Sequence, residues 1–154
     1  MKRIFIASVL AISLISVGAV AQAYHDSGEE SAAIGRLGDS GKVSRTVEIA
    51  MVDNRFKPTE IKVKQDETVK FVVRNAGAKK HEMMIGTMTE LDKHAKMMKQ
   101  YPDMEHTEPN LISIDPGKSG ELVWQFTEAG IVNFACPLPG HFKGMRGKIS
   151  VEPK

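Results

Sequence analysis

Cys136 is the single cysteine of the 154-residue chain, and it opens the stretch CPLPGHFKGM, in which His141 and Met145 follow at the spacing C-x4-H-x3-M. A thiolate, a neutral imidazole and a thioether form a soft donor set that suits copper once a second imidazole joins them. Two histidines and one cysteine with a long, weak methionine bond suit a metal passing between Cu(II) and Cu(I), because the compromise geometry limits rearrangement on electron transfer. Taken singly, a buried cysteine packs as a small hydrophobe and a histidine is more often structural than a ligand. Three such donors on one loop are the informative combination. A Cys–His hydrolase is the competing chemistry, disfavoured because Cys136 precedes Pro137 at a strand end rather than opening a helix that would lower its pKa.

His81 is the best candidate for the second imidazole. It follows the turn from Asn75 to Lys80 and opens an apolar run, MMIG, so a sandwich would bring it to the end where the Cys136 loop lies. His94 and His106 fall in a methionine-rich stretch, and His25 lies near the N-terminus.

The elements that must position these residues read as strands. Val47, Ile49 and Met51 alternate with polar or small neighbours, as do Ile61 and Val63 in EIKVK, and Val69, Phe71 and Val73 in TVKFVVR. LISI, ELVWQF, IVNFAC and GKISV complete a set of seven or eight short strands separated by turn residues, which predicts an all-β sandwich. Thr87 to Tyr101 breaks the pattern. Met84, Met88, Leu91, Ala95 and Met98 recur at three- and four-residue spacing, predicting a short helix over 87–101 within a methionine-rich insertion at 87–108, capped weakly by Thr89 and Asp92 and ended before Pro102.

Residues 1–23 have the form of an export signal: Lys2 and Arg3, an apolar run from Ile4 to Val20, and the small-residue site Ala21-Gln22-Ala23. Its removal takes two of the 21 basic residues and leaves them level with the 19 acidic ones. With no basic run interleaved with aromatics, a nucleic-acid partner is excluded, and no membrane insertion is expected after cleavage. Residues 24–43, rich in Gly, Ser, Asp and Glu, read as a flexible leader before a single domain at 44–154. His25 would then stand beside the new α-amine, a second place for Cu(II) if the tail is more than a solvated leader. In an oxidising compartment a lone cysteine has no internal disulfide partner, which again favours a bound thiolate.

The order His81, Cys136, His141, Met145 in a small exported all-β chain resembles the cupredoxins, the type 1 copper proteins, with a loop spacing similar to that of azurins. RFKPTEIKVKQDETVKFVVRNAG, HEMMIG and FACPLPGHFKGM resemble the periplasmic cupredoxins linked to copper tolerance. The resemblance covers roughly residues 47–151 and implies a Greek-key sandwich with His81, Cys136 and His141 as equatorial ligands and Met145 as the axial one. Glu82 departs from the Asn or Ser that often follows the first histidine in electron-carrying members, leaving open how the Cys136 loop is steadied. It also implies that Pro137, Leu138, Pro139 and Phe142 form an apolar patch through which the His141 edge serves as an electron port; capping of the sandwich core is an equal account of Leu138.

Six of the nine methionines lie between Met83 and Met104. Thioethers bind Cu(I) and leave harder ions alone, so Met97, Met98, Met104, His94 and His106 are candidate secondary copper contacts. Packing on the apolar stripe accounts as well for Met84, Met88 and Met98, leaving Met97, Met104 and His106 as the exposed candidates.

Two functions share this chemistry. One is a periplasmic copper-tolerance protein, a monomer with one type 1 copper, binding copper and passing single electrons, with a copper exporter or redox protein as partner. The alternative is a small electron-transfer shuttle between periplasmic redox partners. A copper oxidase or nitrite reductase is disfavoured, because the chain has no H-x-H pair and is too short for a multi-domain interface; no catalytic residue is expected.

Overall fold

Alternating apolar and polar side chains put one face of each strand into a core, and two such faces can only be buried against each other. The computed structural model, which describes residues 35–102, 104 and 106–154, follows that logic with ten strands in two five-stranded sheets. The first sheet has the order β1 (Arg36–Leu37), β8 (Ser119–Gln125), β5 (Thr68–Asn75), β2 (Arg45–Val52), β3 (Arg55–Lys57). The second has the order β4 (Glu60–Lys64), β10 (Arg146–Glu152), β9 (Gly130–Ala135), β6 (His81–Gly86), β7 (Leu111–Ile114). The chain switches sheets repeatedly, so β2 and β5 pair in parallel, as do β4 and β10, within otherwise antiparallel sheets.

Between the sheets lies one continuous core. Trp124, Phe56, Phe71, Phe126 and Phe134 are fully buried there, with Phe56 and Phe134 meeting edge to face at 5.0 Å between ring centres. Cys136 and Met145 belong to the same core, so two of the predicted donors sit in rigid, close-packed surroundings.

The seven segments named as strands are all present, with three additions, β1, β3 and β6, the last being the run opened by His81 that reads only as apolar because all six of its residues are buried. Arg36 and Leu37 pair with Gln125 and Trp124, so the part of the expected leader from residue 35 onward belongs to the sandwich, and the folded domain starts earlier than Ser44. The compositional signal misled here because a two-residue edge strand needs no apolar run. β3 likewise contributes one buried side chain, Phe56. The expected export signal, 1–23, and the leader as far as residue 34 lie outside the described residues. Among the described residues no helix is long and apolar enough to cross a membrane.

The insertion leaves after β6 and returns to pair with it through β7, with His81 opposite Ile114 and Met84 opposite Leu111. Asn110 closes its base by exchanging bonds with Ile85, accepting from the Ile85 N–H and donating Nδ2 to the Ile85 carbonyl. The excursion carries the helix α1 (Met88–Gln100). Its cap is not Thr89 and Asp92 as expected but a capping box: Thr87 Oγ1 accepts from the Glu90 N–H, and Glu90 Oε2 accepts from the Thr87 N–H. Starting there, α1 turns Leu91, His94 and Met98 inward. Met84 belongs to β6 and packs with Leu91, whereas Met88, expected in the core, is exposed.

Candidate metal centre

Three strand ends and one turn converge at a single end of the sandwich. His81 opens β6, Cys136 follows β9, and the loop 136–145 returns to β10. The loop is held by its own backbone: the Cys136 N–H donates to the Met145 carbonyl at 3.0 Å, and the Met145 and Gly144 N–H groups both donate to the His141 carbonyl. Gly140 has a φ of 82°, a left-handed conformation that its lack of a Cβ makes accessible.

The predicted donors meet. His81 Nδ1 and His141 Nδ1 are 3.2 Å apart, and Cys136 Sγ lies 3.5 Å from His141 Nδ1. First-row metal–nitrogen bonds of about 2.0–2.1 Å and metal–thiolate bonds of about 2.3 Å span such gaps around one ion. His81, Cys136 and Met145 are fully buried, and the backbone of Met145 is bonded to that of Cys136. A thiolate, two imidazoles and a nearby thioether fit copper better than the harder divalent ions.

The surroundings prepare each donor. His81 Nε2 is 3.1 Å from Asp53 Oδ1, so the carboxylate holds the hydrogen on Nε2 and leaves the Nδ1 lone pair facing His141. That bond also holds the Asp53 carboxyl below its usual range. Asp53 is a contact of the predicted donor His81 that the sequence reading missed. Gly77 sits beside this pair, where a Cβ would stand 2.3 Å from Asp53 Oδ1 and 3.1 Å from His81 Nε2, so no larger residue fits without moving them. Burial lowers the pKa of His141, keeping its imidazole neutral and able to donate a lone pair. Burial also pushes the Cys136 thiol up to about 11, only partly countered by N–H bonds from Glu82 and Leu138. The metal-free thiol is thus protonated at neutral pH, and metal binding releases that proton.

The position of Glu82 resolves the departure noted in the sequence. Its backbone N–H, not its side chain, reaches Cys136 Sγ at 3.4 Å, so steadying the sulfur does not require Asn or Ser. The side chain turns the other way, where Oε1 accepts from Ser113 Oγ at 3.1 Å.

The expected docking patch is smaller than the sequence implied. Pro137 is buried, Leu138 is half-buried against the main core, and Phe142 is half-buried against Met84, Leu91 and Ala135 with the Arg146 guanidinium over its ring at 4.1 Å. Only Pro139 is fully at the surface beside the half-buried His141. Strong packing of the ligand loop onto α1 and the core withdraws these apolar groups from solvent.

Of the secondary candidates, His94 and His106 are brought together, with Glu108 beside them. Met98 and Met104 line an open cavity of about 720 Å³ with His106, Glu82 and Leu138. Met97, expected to be exposed, is half-buried and does not line it.

Comparison with known proteins agrees with this geometry. The cupredoxin-like domain family matches residues 12–151. The chain is 43% identical to the copper-resistant cuproprotein CopI of Rubrivivax gelatinosus, over 97% of this chain and 98% of that one. It is 32% identical to CopI of Pseudomonas aeruginosa, over 99% and 98% of the two chains. Among solved structures, reduced auracyanin from the photosynthetic bacterium Roseiflexus castenholzii superposes with a TM-score of 0.62 at 22% identity, covering 72% of this chain and 99% of that one. An azurin from Methylomonas sp. strain J gives 0.55 at 18% identity over 71% and 99% of the two chains; at such identities these two likenesses speak for the fold. With the sandwich, the converging His, Cys and His donors and these relatives all in agreement, the chain belongs to the cupredoxin family.

Proposed function

We propose that this protein is exported to the periplasm and contributes to copper tolerance by holding one type 1 copper through His81, Cys136 and His141, with Met145 as the weak fourth donor. The observation that carries this reading is the 3.2 Å approach of two imidazole Nδ1 atoms beside a buried thiol. When bound, copper supplies one-electron chemistry between Cu(II) and Cu(I). The protein's own part is positional. Asp53 fixes the His81 tautomer, the Glu82 N–H steadies the Cys136 sulfur, and the folded loop 136–145 presents His141 and Met145 before metal arrives. A buried thiol beside two imidazoles favours soft cations over the hard ions abundant outside the cytoplasm. The two CopI relatives support the tolerance role, and their names extend to no catalysis. A dedicated electron shuttle is less well supported, because Pro137 is buried and Leu138 and Phe142 are half-buried, which reduces the apolar surface around His141 for transient docking.

The test is expression of the full chain, and of Cys136→Ala, in a copper-sensitive bacterium, with visible spectra of both purified proteins. The thiolate-to-copper band and the copper protection are expected to vanish together in the variant. Protection that survives without the band would refute the type 1 centre as the source of tolerance.

A further inference from the structure

The insertion between β6 and β7 contains a second pair of facing histidines. His94 Nε2 and His106 Nε2 are 2.9 Å apart, with ring centres at 4.7 Å. The other nitrogen of each ring is already engaged. His94 Nδ1 is 3.2 Å from Glu108 Oε1, and His106 Nδ1 is 3.2 Å from the Met104 carbonyl oxygen. A carboxylate and a carbonyl only accept, so each Nδ1 carries the hydrogen and each Nε2 carries a lone pair. Two lone pairs at that distance repel unless a cation lies between them. An imidazole backed by an oxygen acceptor, with its free nitrogen aimed at a second imidazole, is also how metal-ligating histidines are held.

The neighbourhood supplies softness and negative charge. His106 shares its cavity with Met98, Met104 and Glu82. Glu82 is buried, and its Oε2 has no hydrogen-bond partner. A buried carboxylate oxygen left unpartnered is costly, and a cation in the adjoining cavity would offset that cost.

We infer that His94 and His106 form a second copper site, taking Cu(I) between their Nε2 atoms, with Met98 and Met104 as adjacent thioether donors and Glu82 as the compensating charge. Imidazoles alone accept zinc, nickel or copper; thioethers in the same cavity select Cu(I). Glu82 joins the two centres, since its N–H contacts Cys136 Sγ and the same residue is among those lining the second cavity. The site is independent of the type 1 centre in its ligands, so the two can fail separately.

The test is anaerobic Cu(I) titration of the purified full chain against a chromophoric Cu(I) chelator, for wild type, His94→Gln, His106→Gln and Met104→Leu. Wild type is expected to hold one more Cu(I) per chain than either histidine variant, and Met104→Leu to weaken that extra ion about tenfold. On reoxidation both histidine variants should keep the full visible band, which shows that they are folded and that the type 1 centre is intact. Equal Cu(I) counts in wild type and His106→Gln would overturn the site, leaving a shared proton as the cation between the rings. Loss in His106→Gln of Zn(II) or Cu(II) binding but not of Cu(I) would overturn the assignment of the metal. A missing band in wild type would count against the type 1 reading alone.

Discussion

The two histidine pairs meet at similar distances but are built by different means. His81 and His141 are 60 residues apart in sequence, the first opening β6 and the second held in the short loop between β9 and β10, whereas His94 and His106 are 12 apart and come from one excursion. Strand ends fixed by ladders on both sides hold donors in place before metal arrives, which suits a centre whose geometry must survive a change of charge. A helix packed through Leu91 and Met98, followed by a loop, can yield by a rotamer or a turn, which suits uptake and release. The comparison teaches that one fold can bring histidines together either through its strand framework or within a single excursion, with Glu82 adjoining both pairs.

The sharpest way to break this comparison is His81→Ala. Removing one of the buried imidazoles should abolish the visible band while the Cu(I) attributed to His94 and His106 stays bound. Loss of both from one substitution would show that the centres are not separate.

That separation was only partly legible in the sequence. Cys136, His141 and Met145 announced themselves because one short loop delivers all three, and local spacing is what a sequence displays. Asp53 gave no such signal: it sits in the turn between β2 and β3, where an aspartate is expected for turn formation alone, and its partner His81 is 28 residues away. Glu82 looked like a defect because sequence comparison concerns side chains, whereas the contact to sulfur is made by backbone. On α1 the three- and four-residue spacing placed Leu91 and Met98 rightly in the buried stripe but added Met88 to it and left out His94. The capping box at Thr87 sets the phase, so His94 is buried and Met88 is not. The sandwich itself was plain from alternation, while β1 and β3 escaped notice because each is too short to show a period.

Asp53→Asn should have the next largest effect. The amide can still approach His81 Nε2 but no longer offers a full negative charge to the N–H, and losses of this kind cost about 10–100-fold in metal affinity. Competition with a Cu(II) chelator would measure it. Unchanged affinity would mean that packing alone orients His81, and the rigid centre would need no acceptor behind its imidazole.

Acid should affect both regions of the metal-free protein in the same sense. Burial lowers the pKa of His94 and of His141 below the ordinary value of 6.5, so on acidification the unfolded chain takes up these protons first. Their contribution to stability is complete above the ordinary value and is lost as pH falls below it, with a slope of at most about 1.4 kcal/mol per pH unit for each ring. The urea midpoint of the metal-free chain should therefore drop between pH 7 and pH 5.5, and drop less in His94→Asn. Identical slopes would show that the ring in α1 contributes nothing to the response.

Thr87→Ala carries the smallest expected effect and discriminates best between the regions. The substitution removes the hydroxyl that accepts from the Glu90 N–H and leaves the strands untouched, so stability should fall by about 1 kcal/mol, the usual cost of losing such a cap. The visible band should not move, because no strand end near Cys136 depends on that bond. Cu(I) held by His94 and His106 should bind more weakly, since fraying of the first turn loosens the register that turns His94 inward. A shifted visible band with unchanged Cu(I) binding would invert the comparison, making α1 a brace for the type 1 loop through Leu91 and Phe142 and leaving the second pair of histidines to be held by Glu108 and the Met104 carbonyl alone.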